Sequence, residues 1–153
     1  MSVFSSSYAA LIDDKGRVVL PASFKKAMGS MADEKIVIEK GYFRNCLNIY
    51  PEKTFNPKEE SIISKLDPFN EEDEDLRESF YENHANIYIA ENGRISIPSE
   101  FLKYIIDVRK SKEVVFVGNG DHIKLWASDV YEAHRRDKLT IGDMLKRRNQ
   151  KNL

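Results

Sequence analysis

The sequence predicts a mainly β chain with short helices, an α+β fold in which two copies of one small module share a single pseudo-twofold β-barrel. Three observations point there. First, Gly16-Arg17-Val18-Val19-Leu20-Pro21-Ala22-Ser23-Phe24 aligns with Gly93-Arg94-Ile95-Ser96-Ile97-Pro98-Ser99-Glu100-Phe101 at an offset of 77 residues. Lys35-Ile36-Val37-Ile38 to Gly41 parallels Lys112-Glu113-Val114-Val115 to Gly118 at the same offset, and Leu47 to Tyr50 parallels Ile123 to Trp126 at 76. Self-similarity that keeps motif, order and spacing is the mark of a duplicated unit. Second, each unit is only about 45 residues, too small to hold a core alone. Third, its apolar runs are of strand length but too short to pair stably in isolation, so the two copies must pair their strands with each other.

The first copy opens with Tyr8 to Ile12, a short apolar strand. Asp13-Asp14-Lys15-Gly16 then supplies turn chemistry, with the glycine free to take positive φ. Val18 to Leu20 is β-branched and apolar, as a strand requires. Pro21 ends it and suits the first turn of a helix, where a missing N–H costs nothing. A helix over Ser23 to Met28 puts Phe24 and Met28 on one face, with Gly29 as its stop. Ile36 to Ile38 and Cys46 to Tyr50 are two further strands. The second copy repeats the plan: strand Ile87 to Ile89, turn Ala90 to Gly93, strand Ile95 to Ile97, helix from Ser99, strands Val114 to Val117 and His122 to Trp126. Tyr50 and Trp126 occupy matching positions and are expected in a symmetric core.

Between the copies, Asp67 to Asp75 is acidic, contains Pro68, and reads as a solvated linker, flanked by helices over Ser61 to Leu66 and Leu76 to His84. Ser128 to Tyr131 reads as an N-capped helix start, followed by a basic end carrying Arg135, Arg136, Lys138, Lys146, Arg147, Arg148 and Lys151. The expected division is residues 5–56 for the first module, 57–80 for an acidic, helical linker, 81–130 for the second module and 131–153 for a basic C-terminal tail.

Charge offers no support for a nucleic-acid partner by itself: 24 Lys and Arg against 25 Asp and Glu leave a formal charge of −1, whereas whole-domain basicity is the usual electrostatic footprint. Any such function must lie in where the charges sit. The single Cys46 can form no intramolecular disulfide and reads as a small buried hydrophobe. Met1 to Ala10 is Ser-rich without a basic stretch and apolar run, and no apolar run approaches a bilayer's width, so a soluble cytoplasmic protein without membrane contact is expected. His84, His122 and His134 have no partner at metal-ligand spacing, so neither metal nor cofactor is expected. Asp13-Asp14 and the acidic linker lack catalytic geometry, and Gly118-Asn119-Gly120-Asp121 lacks the Lys and Ser/Thr of a phosphate loop. The reading is therefore of a non-enzyme with no small-molecule substrate.

A turn needs glycine, but it does not need the arginine that follows glycine in both copies. An Arg on a tight turn presents a planar fork matching a phosphate or the O6/N7 edge of guanine. A pseudo-twofold axis would bring Arg17 and Arg94 into one basic patch. Asp-Lys-Gly-Arg with apolar-x-apolar-Pro, its echo Gly93-Arg94-Ile95-Ser96-Ile97-Pro98, and the segments Cys46 to Pro51 and Val117 to Trp126 resemble the MraZ family, over Phe4 to about Tyr131. The resemblance implies two AbrB-type swapped-hairpin modules and a DNA-binding repressor of the bacterial division and cell-wall gene cluster, its own operon included. It also implies ring-like homo-oligomers bound to promoter repeats in the nucleoid. Lys15, Gly16, Arg17, Gly93 and Arg94 carry over as DNA-contacting residues. Lys25 stands where the family often has Arg, and Asn92 lies in a turn where Ala90 replaces the usual Asp; both join the expected nucleic-acid set. With Leu102 at the second position equivalent to Lys25, the second loop is expected to be the less basic one. The alternative reading is an antitoxin-like or scaffolding oligomer that works through protein contacts.

Overall fold

The computed structural model describes residues 3–28 and 35–151. The elements run β1 (Ser7–Leu11), β2 (Arg17–Val19), α1 (Ala22–Met28), β3 (Ile36–Lys40), β4 (Leu47–Pro51), α2 (Glu52–Ile63), α3 (Glu71–Glu82), β5 (His84–Ile87), β6 (Arg94–Ser96), α4 (Ser99–Ile105), β7 (Glu113–Gly118), β8 (Ile123–Ala127), α5 (Ser128–Asp137) and α6 (Ile141–Lys151). The expected helix stop at Gly29 lies outside the described residues.

Six strands form one sheet in the order β1-β7-β8-β4-β3-β5, and β2 pairs with β6 in a separate ladder. Every ladder is antiparallel. Exchanging the copies (β1 with β5, β2 with β6, β3 with β7, β4 with β8) reverses the sheet order and leaves it unchanged, so the topology is symmetric. The strands are also exchanged between copies: β1 pairs with β7 of the second copy, and β5 with β3 of the first. The symmetry centre falls in the β4–β8 ladder at Asn48 and Lys124, where Lys124 Nζ donates to Asn48 Oδ1 at 2.8 Å.

The expected closed barrel is not formed. Strands β1 and β5 end the sheet at opposite edges, and the strands that would have to bridge them, β2 and β6, have three residues each and are committed to one another. The result is layered. One sheet face carries Ile36, Ile38, Leu47, Ile49, Val114, Phe116, Ile123 and Leu125, all fully buried against Val18, Leu20, Ile95 and Ile97 and against Phe24 and Phe101 of α1 and α4. Full burial of such side chains contributes about 1.5–3 kcal/mol each. The opposite face meets two smaller clusters: Val37, Tyr50, Phe55 and Phe80 under α2 and α3, and Cys46, Val115 and Trp126 beneath α5. Glu39 is buried on that face, paired with Lys58 and accepting from Asn48 Nδ2 at 3.0 Å and Tyr42 at 3.1 Å. A charge so placed must be paired and hydrogen-bonded to be tolerated.

Several sequence expectations shift. The acidic run is largely exposed, as read, but only its first half is loop: Glu71 to Asp75 are the start of α3. Asn70 caps that helix, accepting from the Asp73 amide at 3.0 Å, and four acids in the first turn favour its positive dipole end. Helix α2 begins at Glu52, nine residues before the expected Ser61, and runs through the 56/57 position. Strand β5 starts at His84 rather than Ile87, because pairing with Glu39 to Ile36 of β3 sets its register. Ala127, not Ser128, caps α5, with no side-chain hydrogen bond. The basic end is helical: α5 and α6 run to Lys151, and Thr140 Oγ1 accepts from the Asp143 amide at 3.2 Å.

Because the copies exchange strands, neither can unfold while the other remains intact. Ile95→Ala, in the central pair of the β2–β6 ladder, is expected to cost about 2–5 kcal/mol. Trp126 fluorescence and far-UV circular dichroism should fall together in one urea transition. Separate transitions would contradict the shared core.

Candidate nucleic-acid interface

The two Gly-Arg loops are built alike and held by each other's module. In the first, the Gly16 amide donates to Asp13 O and the Asp13 amide to Arg17 O, both at 3.0 Å. In the second, Gly93 donates to Ala90 O and Ala90 to Arg94 O, both at 2.8 Å. Gly16 and Gly93 sit at φ +80° and +83°, the left-handed region that glycine enters without a Cβ penalty. Each glycine carbonyl then crosses over: Ile97 N–H donates to Gly16 O at 2.8 Å, and Leu20 N–H donates to Gly93 O at 3.0 Å. The loops are thus pinned at both ends of the β2–β6 ladder.

That ladder decides where the arginines point. Its register is Arg17 to Ser96, Val18 to Ile95 and Val19 to Arg94. Val18 and Ile95 face the core. Side chains alternate along a strand, so Arg17, Val19, Arg94 and Ser96 share the opposite, solvent face. Arg17 and Arg94 are diagonal neighbours on it, a relation that places residues about 7–8 Å apart. The ladder register thus sets both arginines on one solvent face.

The two arginines are not equivalent. Asp13 Oδ1 accepts from the amides of Lys15 and Arg17 at 2.9 Å, and its Oδ2 receives Arg17 Nε at 2.6 Å. The Arg17 amide, more than any other group, holds the Asp13 carboxyl below its ordinary value, with the guanidinium assisting. Asp14 is engaged separately by Lys112 Nζ at 2.8 Å. In the second loop Ala90 stands where Asp13 would, and the side chain that caps the turn is Asn92, whose Oδ1 accepts from the Arg94 amide at 3.0 Å. Among the described residues no carboxylate holds the Arg94 guanidinium or the Lys15 ammonium, and both side chains are exposed.

Lys25 corrects the expectation of a less basic second loop. It lies on α1 of the first copy, yet its Nζ donates to Glu91 O at 2.7 Å and its chain passes 3.5 Å from where a Gly93 Cβ would sit. Its counterpart Leu102 packs at the first loop, 3.3 Å from a Gly16 Cβ. Each helix serves the other copy's turn, so the lysine reinforces the second loop. The signal was present in the 77-residue offset that matches Lys25 with Leu102, but reading it requires knowing that the strands cross.

The histidines serve packing. His122 stacks on Tyr50 at 4.5 Å, His134 on Trp126 at 4.9 Å, and His84 packs against Phe55 and Phe80. Burial pushes His122 below its ordinary pKa. No helix among the described residues is long and apolar enough to cross a membrane.

A family model for the MraZ protein, described as antitoxin-like, matches residues 3–78. A transcriptional regulator MraZ of Bacteroides thetaiotaomicron is 31% identical over 117 residues, covering 76% of this chain and 73% of its own. The chain belongs to the MraZ family. Transcriptional regulators MraZ of Cytophaga hutchinsonii and Dictyoglomus thermophilum are each 30% identical, over 86% and 93% of this chain and 84% and 91% of their own lengths. The MraZ family is one of regulators and not of enzymes.

Two outcomes follow for this MraZ-family site. Gly93→Ala is expected to cost about 1–2 kcal/mol, the left-handed penalty alone. Gly16→Ala should cost more, since its Cβ would stand 2.6 Å from Ile97 O; urea midpoints give the order, and equal midpoints would contradict it. The Asp13 contribution carries a pH sign. Its pKa is depressed in the folded state, so the stability it adds is present above the ordinary value of 3.8 and is lost as pH falls through the folded value. Asp13→Asn should therefore flatten the acid limb of the stability curve and leave the neutral region's slope unchanged.

Proposed function

We propose that this protein is a sequence-specific DNA-binding transcriptional repressor of the bacterial division and cell-wall gene cluster, including its own operon. The observation that carries the reading is the placement of Arg17 and Arg94 on the solvent face of one two-stranded ladder. A two-stranded ribbon is of a size that the major groove admits, and an arginine fork there matches guanine O6 and N7. Arg94, which no carboxylate among the described residues holds, is the base-reading group. Arg17, braced by Asp13, contacts the phosphates with Lys15, and Lys25 and Asn92 shape the second loop around them. The relatives' name, transcriptional regulator, supports this reading. So does the symmetric topology, since a pseudo-twofold protein face suits a DNA repeat.

A subunit of formal charge −1 cannot gain its affinity from bulk electrostatics. Linking several weak sites in one homo-oligomer, of ring form, raises effective concentration instead, so that several promoter repeats are held at once. In that setting the two modules act as AbrB-like swapped hairpins, and the protein works in the cytoplasm at the nucleoid. The antitoxin-like description of the matching family model favours a second reading, an oligomer acting through protein contacts alone.

Fluorescence anisotropy with DNA from upstream of the protein's own gene separates the two. Tight binding that weakens with salt is expected. Arg94→Ala should lose about 1–3 kcal/mol of affinity, roughly five- to 150-fold, and relax preference at one base pair. Affinity and base preference unchanged in Arg94→Ala would overturn the assignment, and no binding by the wild type would favour protein contacts.

A further inference from the structure

Helix α6 stands without packing. Its eleven residues include none that is buried, and a helix of that length is marginal in water without a tertiary partner. Ile141, Met144 and Leu145, at i, i+3 and i+4, form an apolar row exposed by 75%, 40% and 57%. Arg148, at i+7, continues the same row. Around it Lys146, Arg147 and Lys151 outweigh Asp143.

The complementary surface lies on the α2–α3 hairpin. A groove of about 420 Å³ is lined by Gly41, Tyr42, Ile62, Leu76, Phe80 and Asn83, among others, and no residue of α6 enters it. Leu76 and Tyr42 are half exposed there, and Phe43 is almost wholly exposed beside Tyr42. Helix α3 carries Glu71, Glu72, Asp73, Glu74, Asp75, Glu78 and Glu82 against the single Arg77. Glu72, exposed, lies one turn before Leu76 on the row that faces the groove.

We propose that α6 of one subunit docks in the α2–α3 groove of a second copy of this chain, and that this contact joins the subunits. The helices run antiparallel, which sets Arg148 over Glu72 while Leu145 and Ile141 enter beside Leu76 and Phe80. Charge selects the occupant: a strongly acidic groove wall repels a nucleic acid and attracts the basic helix that the same chain leaves uncovered. The two patches are different surfaces, so a head-to-tail contact closes into a ring when the rotation permits. The inference rests on the oligomeric part of the proposed function and not on DNA contact.

The mass of the full-length protein in solution, measured without DNA by light scattering, tests it. The wild type is expected at a multiple of the 17.7 kDa subunit. Leu145→Asp and Leu76→Lys alter exposed positions, so circular dichroism should stay native, while each variant alone falls to a lower mass. Mixed in equal amounts they should associate one to one, since one variant keeps its helix and the other its groove. Arg94→Ala should keep the wild-type mass. A wild-type monomer, a Leu145→Asp chain of undiminished mass, or variants that do not associate on mixing would overturn the contact. Weaker DNA binding by Leu145→Asp at unchanged mass would overturn it too, by placing α6 against DNA, and would leave the DNA reading standing.

Discussion

The β2–β6 ladder is the constraint on which the rest depends. Three residue pairs and two glycine carbonyls, Gly16 O receiving Ile97 N–H and Gly93 O receiving Leu20 N–H, commit each copy's second strand to the other copy. With those strands crossed, β1 and β5 are delivered to the far module's sheet, and a single core forms from two units that could not each hold one. The same ladder turns Val18 and Ile95 inward and Arg17 and Arg94 outward. Fold and candidate site therefore share one cause, and a change that loosens the ladder moves both.

Within that symmetric frame the side chains have diverged. The first loop spends its carboxylate, Asp13, on bracing Arg17, which fixes the guanidinium but neutralises part of its charge. The second loop has Ala90 there, and gains its cation from Lys25 across the exchange. Among the described residues, one arginine is held by a carboxylate and the other is not. The buried polar set on the other sheet face is equally one-sided. Glu39 with Lys58 and Tyr42 belongs to the first copy, while the matching position of the second copy, set by the ladders to β4 and β8, is the apolar Val117.

Much of this was legible in the sequence. The duplication, the Gly-Arg turns, the short helices after Pro21 and Pro98 and most strands followed from spacing and residue type. Strand exchange followed from module size. What was not legible had physical reasons. Helices α2 and α5 continue the repeat, since Phe55 and Tyr131 sit at the same 76-residue offset and pack on Tyr50 and Trp126 at 5.4 and 5.6 Å. Their first turns contain few apolar residues, so periodicity alone does not reveal them. The acidic run reads as a solvated linker from its charge and Pro68, and its second half enters α3 because acids at a capped helix N-terminus are favoured by the dipole. The expected barrel failed on strand length, which limits how far three paired residues can bridge two sheet edges. The position of Lys25 depended on a crossing that no local pattern encodes.

Native-state hydrogen exchange at the Leu20 and Ile97 amides tests the central claim most directly. If the crossed ladder joins the two copies, these amides open only with global unfolding. Their exchange free energies should then equal those of Ile49 and Leu125 in the central strands and fall with the same denaturant slope. Exchange at Leu20 or Ile97 through a cheaper, denaturant-insensitive opening, while Ile49 and Leu125 remain protected, would contradict it.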